Sequence, residues 1–220
     1  MSNIRDKKIM TFDLETIPNE ALIDCLPPVK PDSRIKDPEK IEADIAEKTK
    51  KQLEAISLNP LFNIICSASW TDQDGNTDGI LLESEDKEKD LLLNFWEVAA
   101  GYDHFVTFNG RPFDVRCLLL HGVRLGVRPS VDIDNGRYNR MNHTDLRQVF
   151  AGEEKFTKGD LNTFCKIFLG KQKMEGIDGA MISEYWNIGA HEMILDYNKD
   201  DSILTHELFM KALNYGLVTI

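Results

Sequence analysis

The order of apolar runs along this 220-residue chain predicts an α/β fold, a mixed sheet flanked by helices. Short β-rich runs fall at residues 8–12, 64–70, 78–82, 104–108 and 143–146. Helical patterns fall between and after them, giving three strands, helix, strand, helix, strand, then helices. Composition agrees with a packed chain: 42% hydrophobic and 29% charged residues exclude general disorder, and 14 Gly with 8 Pro exclude a fibrous repeat. The length fits one domain spanning 1–220, with a helical insertion at about 17–60.

Each element has a local justification. The run at 8–12 leads into Asp13-Leu14-Glu15-Thr16, and Pro18, Pro27, Pro28 and Pro31 make the next stretch irregular. Asp37-Pro38-Glu39 reads as a helix start, Asp37 as N-cap and Pro38 in the first turn. That helix extends to about residue 57, with Ile41, Ile45 and Leu53 along one side. Asp74-Gly75-Asn76 turns a hairpin between the second and third strands. Leu91, Leu92, Phe95 and Trp96 mark the apolar side of a helix over 85–100, whose acidic start at 85–90 reads as solvated. Asn109-Gly110 turns the fourth strand into a helix over 113–125. Further helices are expected over 159–169, 180–187 and 191–213.

No apolar signal core opens the chain, and no apolar stretch approaches the ~20 residues that span a bilayer. Cys25, Cys66, Cys117 and Cys165 are scattered without a CxxC pair, as in a reduced, cytoplasmic protein. The formal charge of −11 argues at first against a nucleic-acid partner. Its distribution weakens that objection. Residues 72–90 carry a net −6, whereas 111–147 are net +3 through Arg111, Arg116, Arg124, Arg128, Arg137, Arg140 and Arg147. Arginines there can hold phosphates bidentately, are paired internally, or are solvated.

Three acidic sites stand out. Asp13 and Glu15, two apart at the end of a strand, project from one face. In isolation they read first as two solvated acids before a turn. Asp114 follows the fourth strand through Asn109-Gly110-Arg111-Pro112-Phe113, where a helix-capping role would also explain it. Tyr197 and Asp201 lie one helical turn apart on one face, with Asp200 about 100° around. If these carboxylates converge they repel one another, and hard divalent cations relieve that.

Phe12-Asp13-Leu14-Glu15-Thr16, then Phe108 through Asp114, then Tyr197-Asn198-Lys199-Asp200-Asp201 resemble the three exonuclease motifs of the DEDD superfamily. The tyrosine resembles its DEDDy branch, and the nearest likeness is to the 3′–5′ proofreading domains of family B DNA polymerases and their stand-alone relatives. His143-Thr144-Asp145-Leu146 resembles a further segment of those relatives.

The resemblance implies a ribonuclease H-like mixed sheet and a metal-dependent 3′–5′ exonuclease that releases nucleoside 5′-monophosphates by a two-metal mechanism. It implies two divalent ions, Mg²⁺ or Mn²⁺, held by Asp13, Glu15, Asp114 and Asp201, with Tyr197 orienting the attacking water. It also implies contact of Leu14, Thr16, Asn109 and Phe113 with the terminal nucleotide. The expected partner is DNA at single-stranded or frayed 3′ ends; an exoribonuclease and a non-catalytic nuclease-like binding module are the alternatives. With 19 residues after Asp201, proofreading is expected to act in trans. The 44 residues of 17–60 depart from the family's tight connection. They are read either as a cover or dock for a replication or repair partner, or as a helix packed outside the sheet. Tyr138, Tyr185 and Trp186 are candidates for base stacking, and His143 and His206 are read as structural.

Overall fold

The computed structural model describes residues 7–136, 141–152, 159–174 and 179–220. A five-stranded sheet runs in the order β3-β2-β1-β4-β5. Its strands are β1 (Ile9–Pro18), β2 (Asn63–Asp72), β3 (Thr77–Leu81), β4 (His104–Thr107) and β5 (His143–Asp145). β1 pairs antiparallel with β2 and parallel with β4. The first strand is longer than the sequence suggests. Pairing with β2 carries β1 past the acidic residues to Pro18, across a register shift between Glu15 and Thr16. Asp13 and Glu15 therefore lie inside a central strand. The pairing of β1 with β4 stops at Thr11↔Val106, so the site-bearing half of β1 is open on that side.

β1 sorts its side chains by alternation. Met10, Phe12 and Leu14 join the apolar layer under α2 (Glu88–Ala99) and α3 (Asp114–Leu125), where the Phe12 and Phe95 rings meet edge-on at 5.3 Å. Thr11 and Asp13 turn the other way, toward α7 (His191–Asn214). That second interface is polar over β1 and β2. Thr11 Oγ1 meets His206 Nδ1 at 3.1 Å, and Ser67 Oγ donates to Asn198 Oδ1 at 2.9 Å. Ser69 Oγ donates to Asn198 O at 2.7 Å, and Thr71 Oγ1 meets Ser202 Oγ at 3.2 Å. A separate apolar cluster joins α7, through Leu204, Leu208 and Phe209, to Ile9, Val106 and α5 (Leu161–Leu169). His143 is a hydrogen-bonded partner of Thr107, at 2.9 Å.

Two further elements differ from expectation. The segment after β5 forms a short helix, α4 (Leu146–Ala151), begun by Asp145, whose carboxylate accepts the Arg147 N–H at 3.0 Å. Six residues are too few to show a helical period. The acidic start of α2 is also not wholly solvated, because Glu88 is buried beneath β2. Its carboxylate accepts from Ile65 N at 2.8 Å and from Arg124 Nη2 at 2.7 Å, with His121 Nδ1 at 2.6 Å. Burial alone would raise its pKa, but His121 and Arg124 outweigh that and hold it below the usual range. Among the described residues no helix is long and apolar enough to cross a membrane.

The long connection divides into two parts. A 3₁₀ turn (Glu20–Cys25) and α1 (Pro38–Glu54) contribute no buried residue, and Asp37 caps α1 by accepting Glu39 N at 3.0 Å. α1 lies against its own loop: Gln52 Nε2 donates to Pro27 O at 3.2 Å, and Lys48 Nζ to Lys30 O at 3.3 Å. Ile56, in contrast, is only 3% exposed. The Ser57 carbonyl accepts from Thr16 Oγ1 at 2.7 Å and from Asn63 Nδ2 at 2.8 Å. The α6 helix (Ile182–Asn187) packs Tyr185 and Trp186 partly against the core, and Trp186 stacks on His191 with centroids 4.1 Å apart. Tyr138 lies outside the described residues.

Replacing 28–53 with a short Gly/Ser linker should change the urea unfolding free energy by less than about 1 kcal/mol, since it removes no buried apolar residue. Ile56→Ala alone should cost about 2–4 kcal/mol. Glu88→Ala should cost about 3–5 kcal/mol by stranding Arg124 and His121. Equal losses for the deletion and Ile56→Ala would place α1 in the core after all.

Candidate active site

The site forms where β4 leaves β1. One carboxylate oxygen each from Asp13, Glu15 and Asp201 come within 4.8 Å of one another. Asp13 is oriented by Asn198, whose Nδ2 donates to Asp13 Oδ2 at 2.7 Å while its Oδ1 is held by Ser67. Asn198 lies inside the third motif, yet its polar character does not reveal this role.

Asp114 lies outside that trio of oxygens but close enough to act on it electrostatically. It opens α3, and its Oδ1 accepts the Leu14 N–H at 3.0 Å, which ties the helix start to the strand between Asp13 and Glu15. This N–H belongs to the open side of β1. The carboxylate thus serves the strand, and α3 has no side-chain cap. The turn that delivers it is built tightly. Asn109 takes a left-handed backbone (φ 64°), which asparagine tolerates better than most residues. At Gly110 a Cβ would come within 2.4 Å of Thr107 Oγ1, so no side chain fits there. Asp145 fastens the turn from β5, accepting Asn109 N at 2.9 Å and Arg111 N at 3.1 Å.

Tyr197 and Asp201 face the site together from α7, and both are buried. Asp200 points elsewhere, its Oδ2 accepting Met174 N at 3.0 Å. A residue absent from the sequence reading completes the group. Lys173 Nζ forms an ion pair with Asp201 Oδ2, donates to Tyr197 Oη at 2.6 Å and sits 4.6 Å from the centre of the Tyr197 ring. It comes from an extended segment after α5, in a basic Lys-Gln-Lys run with no periodic signal.

Of the expected nucleotide contacts, Asn109 is exposed and Phe113 half-buried. Leu14 and Thr16 have buried side chains, that of Thr16 engaged with Ser57, and the Leu14 N–H is held by Asp114. Of the five described arginines in the arginine-rich stretch, three are turned inward. Arg111 donates to the carbonyls of Gly136 and His143, Arg124 to Glu88, and Arg147 to Gly159. Arg116 and Arg128 are exposed, and Arg137 and Arg140 lie outside the described residues.

Crowding dominates the electrostatics. Burial, then the charges of Asp114, Asp201 and Glu15, push Asp13 well above the ordinary carboxylate range. Burial and Asp201 do the same to Glu15. Burial raises Asp114 to about 7 and Asp201 to about 6. Tyr197 is raised too, by burial and then by Asp201, and so stays a phenol. Burial works against the Lys173 ammonium, but Asp201 and Tyr197 outweigh it and keep Lys173 charged. The donor set fits a hard divalent cation: three carboxylate oxygens converge, and buried Asp201 Oδ1 has no hydrogen-bond partner.

This arrangement makes metal-free stability depend on pH. The unfolded chain releases these protons near pH 4, whereas the folded chain holds them until about 6 and 7 at Asp201 and Asp114. Stability should therefore fall as pH rises from about 4 to about 7, because the folded state binds more protons in that window. Urea midpoints in chelator should show this decline, and excess Mn²⁺ should reverse it. Asp13→Asn should raise metal-free stability at pH 8 by about 1–2 kcal/mol, since it removes one repelling charge and keeps an acceptor for Asn198. A pH-independent midpoint would contradict this account.

Comparison with known proteins places this geometry. The chain is 25% identical over 191 residues to DNA polymerase 1 of Sulfolobus acidocaldarius, a match covering 80% of this chain and 20% of that protein. It is 30% identical over 156 residues to DNA polymerase 1 of Aeropyrum pernix, covering 64% and 16%. The chain thus spans about a fifth of the length of these relatives. The family B DNA polymerase of the hyperthermophilic archaeon Pyrobaculum calidifontis superposes with a TM-score of 0.67 at 19% identity, over 96% of this chain and 25% of that one. That likeness bears out a ribonuclease H-like α/β fold. Residues 58–216 match the family described as a predicted 3′–5′ exonuclease related to the exonuclease domain of PolB, and the chain belongs to that family.

Proposed function

We propose that this protein is a metal-dependent 3′–5′ exonuclease that removes nucleoside 5′-monophosphates from single-stranded or frayed DNA 3′ ends. The observation that carries the reading is the meeting of Asp13, Glu15 and Asp201 oxygens within 4.8 Å, with Tyr197 on the same face of α7 as Asp201. Asp13, Glu15 and Asp201 would hold the divalent ions, and Asp114 would take part through water. Two Mg²⁺ or Mn²⁺ ions, when bound, supply an activated water and stabilise charge on the leaving oxygen. The chain's own groups do the rest. Tyr197 Oη keeps its proton and orients the attacking water by hydrogen bonding. The exposed Asn109 and half-buried Phe113 would contact the terminal nucleotide, together with Leu14 and Thr16.

A second reading follows from one observation. Lys173 paired to Asp201 supplies a positive charge without any metal, as a non-catalytic nuclease-like binding module would need. Digestion of 5′-labelled and 3′-labelled oligonucleotides separates the two. The exonuclease should shorten 5′-labelled DNA stepwise with Mn²⁺ or Mg²⁺ and release labelled mononucleotide from the 3′-labelled strand. Asp13→Ala and Asp201→Ala should lower the rate at least about a thousandfold, and Tyr197→Phe about ten- to a hundredfold. Undegraded DNA and RNA with tight binding of either would establish the module instead. Faster digestion of RNA would establish an exoribonuclease.

A further inference from the structure

We propose that Lys173 is an internal counter-ion that a divalent metal displaces from the carboxylate site, and that Asp200 and Asn162 position it for that task. The inference rests on the metal-binding reading above and concerns how tightly the site holds its cation.

The geometry of the Lys173 segment supports it. A lysine held only by its own flexible stem would spread over many rotamers and lose that freedom when fixed. Here the backbone is fixed first. Lys173 N donates to Asn162 Oδ1 at 3.1 Å, and Met174 N donates to Asp200 Oδ2 at 3.0 Å. Two elements, α5 and α7, therefore clamp the chain on both sides of the residue that reaches inward. The neighbouring acids Asp200 and Asp201 divide the work: one anchors the backbone and the other receives the side chain.

The Nζ contacts also identify what it replaces. It engages Asp201 Oδ2 and Tyr197 Oη, while the second oxygen of Asp201 is buried without a partner. The ammonium thus neutralises one edge of a donor set that also includes Asp13 and Glu15. A divalent ion taken up by Asp201 and the β1 carboxylates meets a like charge that has to move. Metal binding then includes the loss of this ion pair, so Lys173 lowers the site's affinity while holding it together between loading events. Two unit charges a few ångströms apart near a protein surface interact by several RT, enough to shift a binding constant by more than tenfold.

The test is calorimetric titration of the chelator-treated 220-residue chain with Mn²⁺ alone, without nucleic acid, alongside thermal unfolding of the metal-free forms. Lys173→Met should bind Mn²⁺ about tenfold or more tightly than the parent and unfold at a lower temperature without metal. Lys173→Arg should keep parental affinity. Asp200→Asn retains an acceptor for Met174 N, and Asp200→Ala does not. Asp200→Ala should therefore bind Mn²⁺ more tightly than Asp200→Asn, a comparison that cancels the lost charge and survives should Lys173→Met fail to fold. If the parent binds Mn²⁺ and no variant binds more tightly, this inference is overturned and the metal site stands. Weaker binding by Lys173→Met would make the lysine a structural prop and overturn it as well. If neither parent nor variants bind Mn²⁺, both this inference and the metal-dependent reading fall.

Discussion

Four neighbouring carboxylates, three of them converging, govern much of what surrounds them. At separations near 4 Å, each pair of ionised groups repels by about 1 kcal/mol in water and several times that where the protein excludes it. Asp13, Glu15, Asp114 and Asp201 accordingly hold their protons to higher pH than free carboxyls do. Their neighbours supply donors to Asp13 and Asp114, through Asn198 and the Leu14 N–H. Lys173 brings a full positive charge to Asp201.

The fold makes room for that crowding by an early separation of strands. β4 abandons β1 at Thr11, so the next residues of β1 keep β2 on one side and gain an opening on the other. Asp114 fills part of it by taking over the Leu14 N–H that a longer strand would have used. Asp145 then fixes the turn that carries Asp114 from the adjacent strand. The site is thus a break in a parallel ladder, its lost backbone partner replaced by the Asp114 carboxylate.

Much of this was legible in the sequence because it rests on short-range periodicity and turn chemistry. The Asp-x-Glu alternation, the Asn-Gly turn and the four-residue spacing of Tyr197 and Asp201 each follow from local geometry. What escaped was set by distant partners. The true length of β1 depends on how far β2 accompanies it, and Glu88 is drawn inward only because His121 and Arg124 arrive from α3. Lys173 belongs to no periodic element, and its place is decided by hydrogen bonds to Asn162 and Asp200. The inward arginines show the same limit: charge counts along the chain do not tell which guanidinium satisfies a carbonyl.

The polar seam beneath α7 has a further consequence. Apolar helix packing tolerates small slides, since one methyl group substitutes for another at little cost. The contacts made by Asn198, Ser202 and His206 do not, because each meets one specific hydroxyl on β1 or β2. A displacement of one residue would break them together and leave buried polar groups unpaired. The seam therefore works as a ruler: it sacrifices some hydrophobic gain for a fixed phase of the helix against the sheet. Replacing its serines and threonines by apolar residues of similar size would leave the fold standing while letting Asp201 drift relative to Asp13. Precision in this site is thus stored in hydroxyls of β1 and β2 that carry no charge.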